Sequence, residues 1–223
     1  MRRQTDSNAV LRIPLSRERI LRAALELVDD GGIESLTMRK LGQALGFEAM
    51  SLYNHVANKN DVVDGILDLV LSETEPPSAT EDWDTAIRTS AISVHQALRR
   101  HPWASSLLMS PDHIRPARLQ YMDSLLGRLR EAGFSADTTY HAYHVLDAHI
   151  LGFSLWQAGH SFKAADLPDL AADFIRRFPL DDYPHIAEHF EQHMTEGDHQ
   201  HVSAFEFSLD LILDGLEKLH DTA

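Results

Sequence analysis

The first periodic stretch of the chain begins at Ser16, after which apolar positions recur three and four apart at Ile20, Ala24 and Leu27 before the pair Gly31-Gly32. That spacing predicts an amphipathic helix capped by Ser16, stapled by Leu15 and Ile20, and ended by the glycines. Thr37 repeats the device. With Leu36 and Leu41 as the staple, it predicts a short helix through Leu45 that stops at Gly46. A second short helix is expected at about Glu48 to His55, and Asn58 caps a longer one with Asp61 in its first turn and Val62, Ile66 and Leu69 along one face. The run "ETEPPSAT" at 73 to 80 is the clear break in periodicity. Beyond it, amphipathic patterns predict helices near 83–100, 113–132, 136–158, 166–178, 183–195 and 202–220. No segment alternates as a strand does, so the expected fold class is all-α.

Two short helices joined through a glycine turn, the second polar on one side, form the pattern of a helix-turn-helix. The expected organisation is a flexible basic arm at 1–15, a helix-turn-helix domain at 16–75 and a larger helical domain at 76–223. A chain of 223 residues is long enough for one sizeable unit or a small domain plus a medium one. With 43% hydrophobic and 24% charged residues it reads as soluble, and no apolar run approaches the roughly 18 to 20 residues that span a bilayer. The start, "MRRQTDSNAVLRIP", has no apolar core or small-residue cleavage site and is not expected to be a signal peptide. There is no cysteine, which removes disulfides and thiolate chemistry and makes the cytoplasm the expected compartment.

Charge changes the picture. The formal net charge is -14, an argument against nucleic acid when taken whole. Residues 1 to 60 nevertheless hold nine Lys/Arg against seven Asp/Glu, and the remaining residues 11 against 27, so a mildly basic head precedes an acidic body. Within the head, "SLYNHVANK" at 51 to 59 contains no acid. On a recognition helix, an acid facing the phosphate array would repel it, whereas these side chains suit DNA. Ser51 and Tyr53 can donate to phosphate, Asn54 can pair with adenine, His55 can donate to phosphate or base, and Ala49 or Met50 can sit on a thymine methyl. Lys59 falls in the first turn of the following helix, which also favours a phosphate. Composition alone fits a packed helix with a wet polar side equally well.

The stretch "GGIESLTMRKLGQALGFEAMSLYNHVANKNDVVDGILD" at 31 to 68, through Gly-Ile-Glu, Leu-Thr-x-Arg-Lys-Leu, Leu-Gly, Leu-Tyr-x-His-Val and Asn-Lys at these spacings, resembles the DNA-binding domain of the TetR family of one-component regulators. The likeness covers about residues 15 to 72, with a fainter one in "FSLDLILDGLEKL" at 207 to 219. It implies that Thr37 and Arg39 contact DNA from the second helix, that Ser51, Tyr53 and His55 do so from the third, and that Lys59 anchors a phosphate. Ala49, Met50 and Asn54 occupy positions that the family uses for DNA contact or helix entry, with residues of their own. The resemblance also implies a homodimer formed by a four-helix bundle, and a pocket for a small-molecule effector.

Both requirements have candidates. Phe205, Leu209, Ile212, Leu216 and Leu219 recur at spacings of four and three, a stripe that suits either a dimer seam or packing within the chain; the resemblance favours the dimer. Candidate pocket residues are Trp103, Leu107, Met109, Tyr121, Met122 and Leu125, then Tyr143, His144, Asp147, Phe153, Trp156, Phe174 and Phe178. Aromatics, methionine and a few polar groups compose a ligand cavity, and equally any core. His144 and Asp147 share a helix face and could orient a polar ligand group. The stretch "LLMSPDHIRPARLQ" does not reproduce the histidine-threonine signature with which tetracycline-binding members hold drug and magnesium, so tetracycline is not the expected ligand.

His185, His189 and His193 lie at i, i+4 and i+8, with His199 and His201 beyond. Neighbouring pairs could share a zinc ion, but the outer two are about 12 Å apart along a helix and do not easily reach one ion. A metal-responsive regulator on this segment is therefore an alternative, and a bundle metalloenzyme using Glu188, His189 and His193 a weaker one. No Gly-x-Ser-x-Gly, Walker loop, dinucleotide turn or His-Glu-x-x-His occurs. The expectation is a non-enzymatic transcriptional regulator, a repressor, with no cofactor and no membrane partner, binding a double-stranded DNA operator. A pure protein-interaction role would show itself by dimerisation without salt-dependent DNA affinity.

Overall fold

The computed structural model describes residues 14–113, 115–159, 173, 176–178, 182–188 and 203–221. Among these there is no strand. The helices are α1 (Arg17–Gly31), α2 (Met38–Leu45), α3 (Ala49–Leu52), α4 (Lys59–Ser72), α5 (Trp83–Arg100), α6 (Ala104–Leu108), α7 (Pro116–Glu131), α8 (Ala136–Gly159) and α9 (Ala204–Asp221). Short 3-10 turns at Ile33–Ser35 and Pro111–His113 follow α1 and α6. The all-helical expectation is met.

The caps form where side-chain chemistry places them. Ser16, Thr37 and Asn58 each accept the amide three residues on, at 3.2, 3.1 and 3.0 Å, which satisfies a donor that the first helical turn cannot. Gly32 and Gly46 take φ of 73° and 74° at the ends of α1 and α2, a region that side chains bearing a Cβ avoid. Three boundaries differ from expectation. The third helix ends at Leu52 rather than His55, because the amides of His55 and Val56 both turn back onto the Leu52 carbonyl, at 2.9 and 3.1 Å. The helix expected from residue 113 begins at Pro116, and α6 was not expected, since five residues are too few to display a period. The helices expected at 166–178 and 183–195 fall mostly outside the described residues, though 184–188 are helical.

The described residues divide into two compact units. The first lies within Met1–Pro76 and Ser93–Leu125. Its core includes Ile20, Ala24 and Val28 of α1, Leu41 of α2, Leu52 of α3, and Val62 and Ile66 of α4, all essentially inaccessible. The buried faces are wider than the periodicity predicts: Leu27 and Leu69 are only partly covered, while Leu21, Val63, Leu67 and Val70 are buried. Two glycines set the spacing. A Cβ on Gly65 would stand 2.5 Å from Leu21 Cδ2, and one on Gly42 would stand 2.8 Å from the Phe47 carbonyl oxygen and 3.1 Å from the Ala49 amide nitrogen. Gly42 therefore lets the turn after α2 fold directly against that helix, with the Phe47 amide donating to the Gly42 carbonyl at 2.9 Å.

The second unit lies within Pro77–Ile92 and Leu126–Ala223. Here α9 packs on α8, its residues Phe205, Leu209, Leu213 and Leu216 are buried, and the His149 ring stacks on Phe205 at 4.8 Å between centroids. Burial pushes the His149 imidazole below its ordinary value. Trp83 meets the Phe134 ring edge-on at 4.9 Å, His220 Nε2 lies 2.8 Å from the Ala132 carbonyl, and Arg88 holds Asp210 at 2.7 Å and Glu206 at 2.9 Å.

The Gly42 contact is with backbone, which cannot rotate out of the way. Gly42→Ala should cost about 1–3 kcal/mol, the usual range for overpacking, and shift the urea midpoint downward with the slope retained. An unchanged midpoint would show that the turn yields without cost.

Candidate nucleic-acid interface

α2 and α3 lean on the core through Leu41, Leu45 and Leu52, which leaves their other side free. Thr37, Arg39, Met50, Tyr53, Asn54, His55 and Lys59 are exposed, and Ala49 and Ser51 are partly so. All nine residues expected at DNA thus reach solvent on consecutive elements of one unit. Arg39, Lys40 and Lys59 have no ion-pair partner among the described residues, whereas Arg17, Arg22, Arg88 and Arg100 each hold a carboxylate. The Thr37 oxygen is occupied as the cap acceptor, so its hydroxyl hydrogen is what remains to donate.

The position of Lys59 is set by its neighbours. Asp61 accepts from the Arg17 guanidinium through both oxygens, at 2.9 and 3.0 Å, and from the Ala57 amide at 2.8 Å, while its own amide donates to Asn58. The N-terminus of α1, the segment after α3 and the first turn of α4 are thereby tied at one carboxylate. The Arg17 hydrogen bonds, followed by that from Ala57, hold the Asp61 carboxyl below its ordinary value. The pairing also neutralises the acid next to Lys59, where a free carboxylate would repel phosphate.

Other acids continue the attachment of α4. Asp64 lies 2.9 Å from His113 Nδ1 and 3.3 Å from Arg115. Asp68 is pushed up by burial, and its Oδ1 has no hydrogen-bond partner among the described residues. Glu73 binds Arg100 at 2.8 Å and lies 3.2 Å from His101 Nε2; His101 Nδ1 in turn lies 2.7 Å from Asp29, which also accepts from Trp103 Nε1 at 2.8 Å. Hydrophobic periodicity does not reveal this series. Its sequence signal is faint: Asp61, Asp64 and Asp68 recur at helical spacing beside apolar positions that alone are read as the buried stripe.

The candidate pocket residues fall in both units. Trp103, Leu107, Met109, Tyr121, Met122 and Leu125 belong to the first unit; Tyr143, His144, Asp147, Phe153, Trp156 and Phe178 belong to the second. Tyr121, Leu125 and Tyr143 are buried, Trp103, Leu107, Met122, Asp147 and Phe153 partly so, and Met109, His144, Trp156 and Phe178 are exposed. Phe153 and Trp156 lie 5.7 Å apart, and Tyr143 and His144 5.2 Å apart, between ring centroids. His144 Nδ1 is 2.8 Å from the Tyr140 carbonyl one turn back, an ordinary helix contact. Phe174 lies outside the described residues.

The stripe expected as a dimer seam is partly covered within the single chain. Phe205, Leu209 and Leu216 are at most 7% exposed, with His149 of α8 stacked on Phe205; Ile212 is partly covered and Leu219 is exposed. The apolar residues that α9 leaves exposed are Phe207, Leu211 and Leu219, and α8 adds Val145, Leu155 and Trp156. Of the histidine-rich segment, His185 and Glu188 are exposed, and His189, His193, His199 and His201 lie outside the described residues. Among the described residues no three His, Asp or Glu gather as metal ligands, and no helix is long and apolar enough to cross a membrane.

Comparison with known proteins agrees with this architecture. Residues 20–66 match the family described as bacterial regulatory proteins, tetR family, and residues 75–220 match that described as tetracyclin repressor-like, C-terminal domain. The tetracycline repressor protein class D of Escherichia coli is 34% identical over 159 residues, which cover 69% of this chain and 72% of that protein. The HTH-type transcriptional repressor DrrR1 of Streptomyces coeruleorubidus is 31% identical over 219 residues, 92% of this chain and 78% of that one. Among solved structures, the Streptomyces coelicolor TetR family protein ActR in complex with actinorhodin has a TM-score of 0.72 at 24% identity, covering 93% of this chain and 99% of that one, a likeness of fold.

The Asp61 shift predicts a pH dependence. Because the folded carboxyl titrates below the ordinary 3.8, its contribution is fully present above that value and is lost as the pH falls through the lower, folded one. Asp61→Asn should therefore be less stable than the parent at pH 7, with the difference shrinking toward pH 3 in urea titrations. A difference that stays constant with pH would assign the loss to packing.

Proposed function

The chain belongs to the TetR family of bacterial regulatory proteins, and from that premise we propose that it is a homodimeric transcriptional repressor, released from a palindromic DNA operator when a small molecule binds its C-terminal domain. Residues 16–75 act as the DNA-binding domain and 76–223 as the ligand-binding and dimerisation domain. The observation that carries the reading is the exposed surface from Thr37 to Lys59, where hydrogen-bonding side chains and three uncommitted cations stand on a chain of net charge -14. A local surface of that kind on an acidic body suits a polyanion that the rest of the molecule repels.

In this reading α3 enters the major groove. Arg39, Ser51, Tyr53 and His55 meet phosphates or base edges, Asn54 offers its amide to adenine, and Ala49 and Met50 face the groove, while Thr37 and Lys59 grip the backbone on either side. One four-residue helix reads too few bases for a specific site, which gives dimerisation its purpose. The surface proposed for it is the exposed apolar set Phe207, Leu211 and Leu219 of α9 with Val145, Leu155 and Trp156 of α8, in place of the buried stripe.

Release requires an effector that prefers a conformation unable to fit the operator. α4 is suited to carry that preference. Its first turn positions Lys59, and further along it binds the Pro111–His113 turn, Arg115 and the end of α5 through Asp64 and Glu73. The effector itself is a small molecule, for which aromatic side chains of the second unit such as Tyr143 and Phe153 are candidate contacts.

Selection of the purified protein against a randomised duplex pool tests the function directly. Enrichment of a palindrome with half-sites about one helical turn apart is expected; no enrichment from folded, ligand-free protein would overturn the reading. On the selected operator, Arg39→Ala and Lys59→Ala should each weaken binding and flatten the dependence of log K on log salt by about 0.9 for every phosphate that is no longer neutralised. Leu211→Glu should give a monomer by sedimentation, and a dimer that persists would move the interface elsewhere.

A further inference from the structure

The least covered large apolar side chain among the described residues is Met50, 73% exposed on α3. Its place is unusual for a methionine, whose flexible thioether ordinarily fills gaps in cores. Leu52, two residues on, is fully buried and fastens α3 to the unit, so Met50 stands away from the core on the side of the helix that carries the candidate DNA contacts. Ala49 and Ser51 beside it are partly exposed, and Tyr53, Asn54 and His55 follow in the open. Glu48, the residue before α3, makes no side-chain cap hydrogen bond.

Every other group on this surface can donate or accept a strong hydrogen bond, apart from Ala49. Met50 offers neither to a phosphate. Facing the floor of a major groove, it gains only by covering something apolar, and the major-groove edges of unmodified base pairs present one such group, the C5-methyl of thymine. We propose that Met50 is a specificity-determining residue which reads a thymine methyl in each operator half-site. The inference rests on the DNA-binding reading above and narrows it: the operator carries a thymine at the position under Met50, recognised through its methyl rather than through hydrogen bonds. Ala49 is shorter and only partly exposed, whereas the long, unbranched Met50 side chain can lie along the methyl while its neighbours bond to flanking edges.

Deoxyuridine isolates the methyl, because it retains the hydrogen-bonding edge of thymine and lacks only that group. Each thymine of the selected operator is replaced in turn, in both half-sites together, and the affinities of the parent protein and of Met50→Ala are measured at fixed salt. The parent should lose about fourfold per half-site at one symmetric position, about 15-fold for the pair, the size expected for uncovering one methyl at each. Met50→Ala should bind the thymine operator more weakly by a comparable factor and show no further loss at that position. The exposure of Met50 means that the substitution leaves the core intact, which an unchanged thermal midpoint checks. If no thymine is sensed by the parent more than by Met50→Ala, Met50 does not read a methyl and the proposal falls while DNA binding stands. If the pool yields no operator at all, the DNA-binding reading fails and this proposal fails with it.

Discussion

Asp61 is the carboxylate on which the geometry of the candidate DNA-binding surface depends. It accepts two hydrogen bonds from Arg17 at the start of α1 and one from the Ala57 amide, while its own amide is capped by Asn58. The start of α1 is thereby fixed, across 44 residues of sequence, to the segment after α3 and the first turn of α4 at the edge of the candidate interface. A free acid beside a polyanion would repel it, yet here the acid is consumed internally, and what remains outward is the Lys59 ammonium and the end of a helix. Charge neutralised by Arg17 costs nothing toward phosphate, and the hydrogen bonds hold the segment between α3 and α4 in one conformation.

A similar constraint operates at Gly42. Two helices of eight and four residues have little stability of their own, so their crossing cannot rest on helix propensity. It rests on a backbone-to-backbone approach that only a missing Cβ permits, on the left-handed Gly46, and on Leu41, Leu45 and Leu52 entering the core below. Exposed residues on such a pair are placed by the buried ones, and the exposed side can vary without disturbing the scaffold. That separation is what lets Met50 stand open to solvent while Leu52 is inaccessible.

From the Asp61 corner, α4 extends through residues that each bind another element: Asp64 to His113 and Arg115, Glu73 to Arg100 and His101. These pairs are partly exposed and individually contribute little to stability. Their value is directional. A helix held at several points along its length can pass a displacement at one end to the other, and the two ends here are the carboxylate network near α5 and α6 and the first turn that carries Lys59.

Much of this was legible in the sequence. The caps at Ser16, Thr37 and Asn58, the glycine stops and the all-helical pattern follow from local hydrogen-bonding and backbone rules, which act over three or four residues and are therefore written in three or four residues. The outward set from Ser51 to Lys59 was legible because acid-free polarity is also a local property. What tertiary structure alone decided were the matters of partnership. A stripe such as Phe205, Leu209 and Leu216 declares that a face is covered but not by what; all three are already buried within the single chain, with His149 of α8 stacked on Phe205, and Phe207, Leu211 and Leu219 are left outside. The Asp61–Arg17 pair spans 44 residues and the Arg88 pairs 118 and 122, separations at which no periodicity relates one residue to another. Helix caps are short-range physics and can be read from the chain; the covering of a face and the pairing of distant charges are settled only when the helices meet.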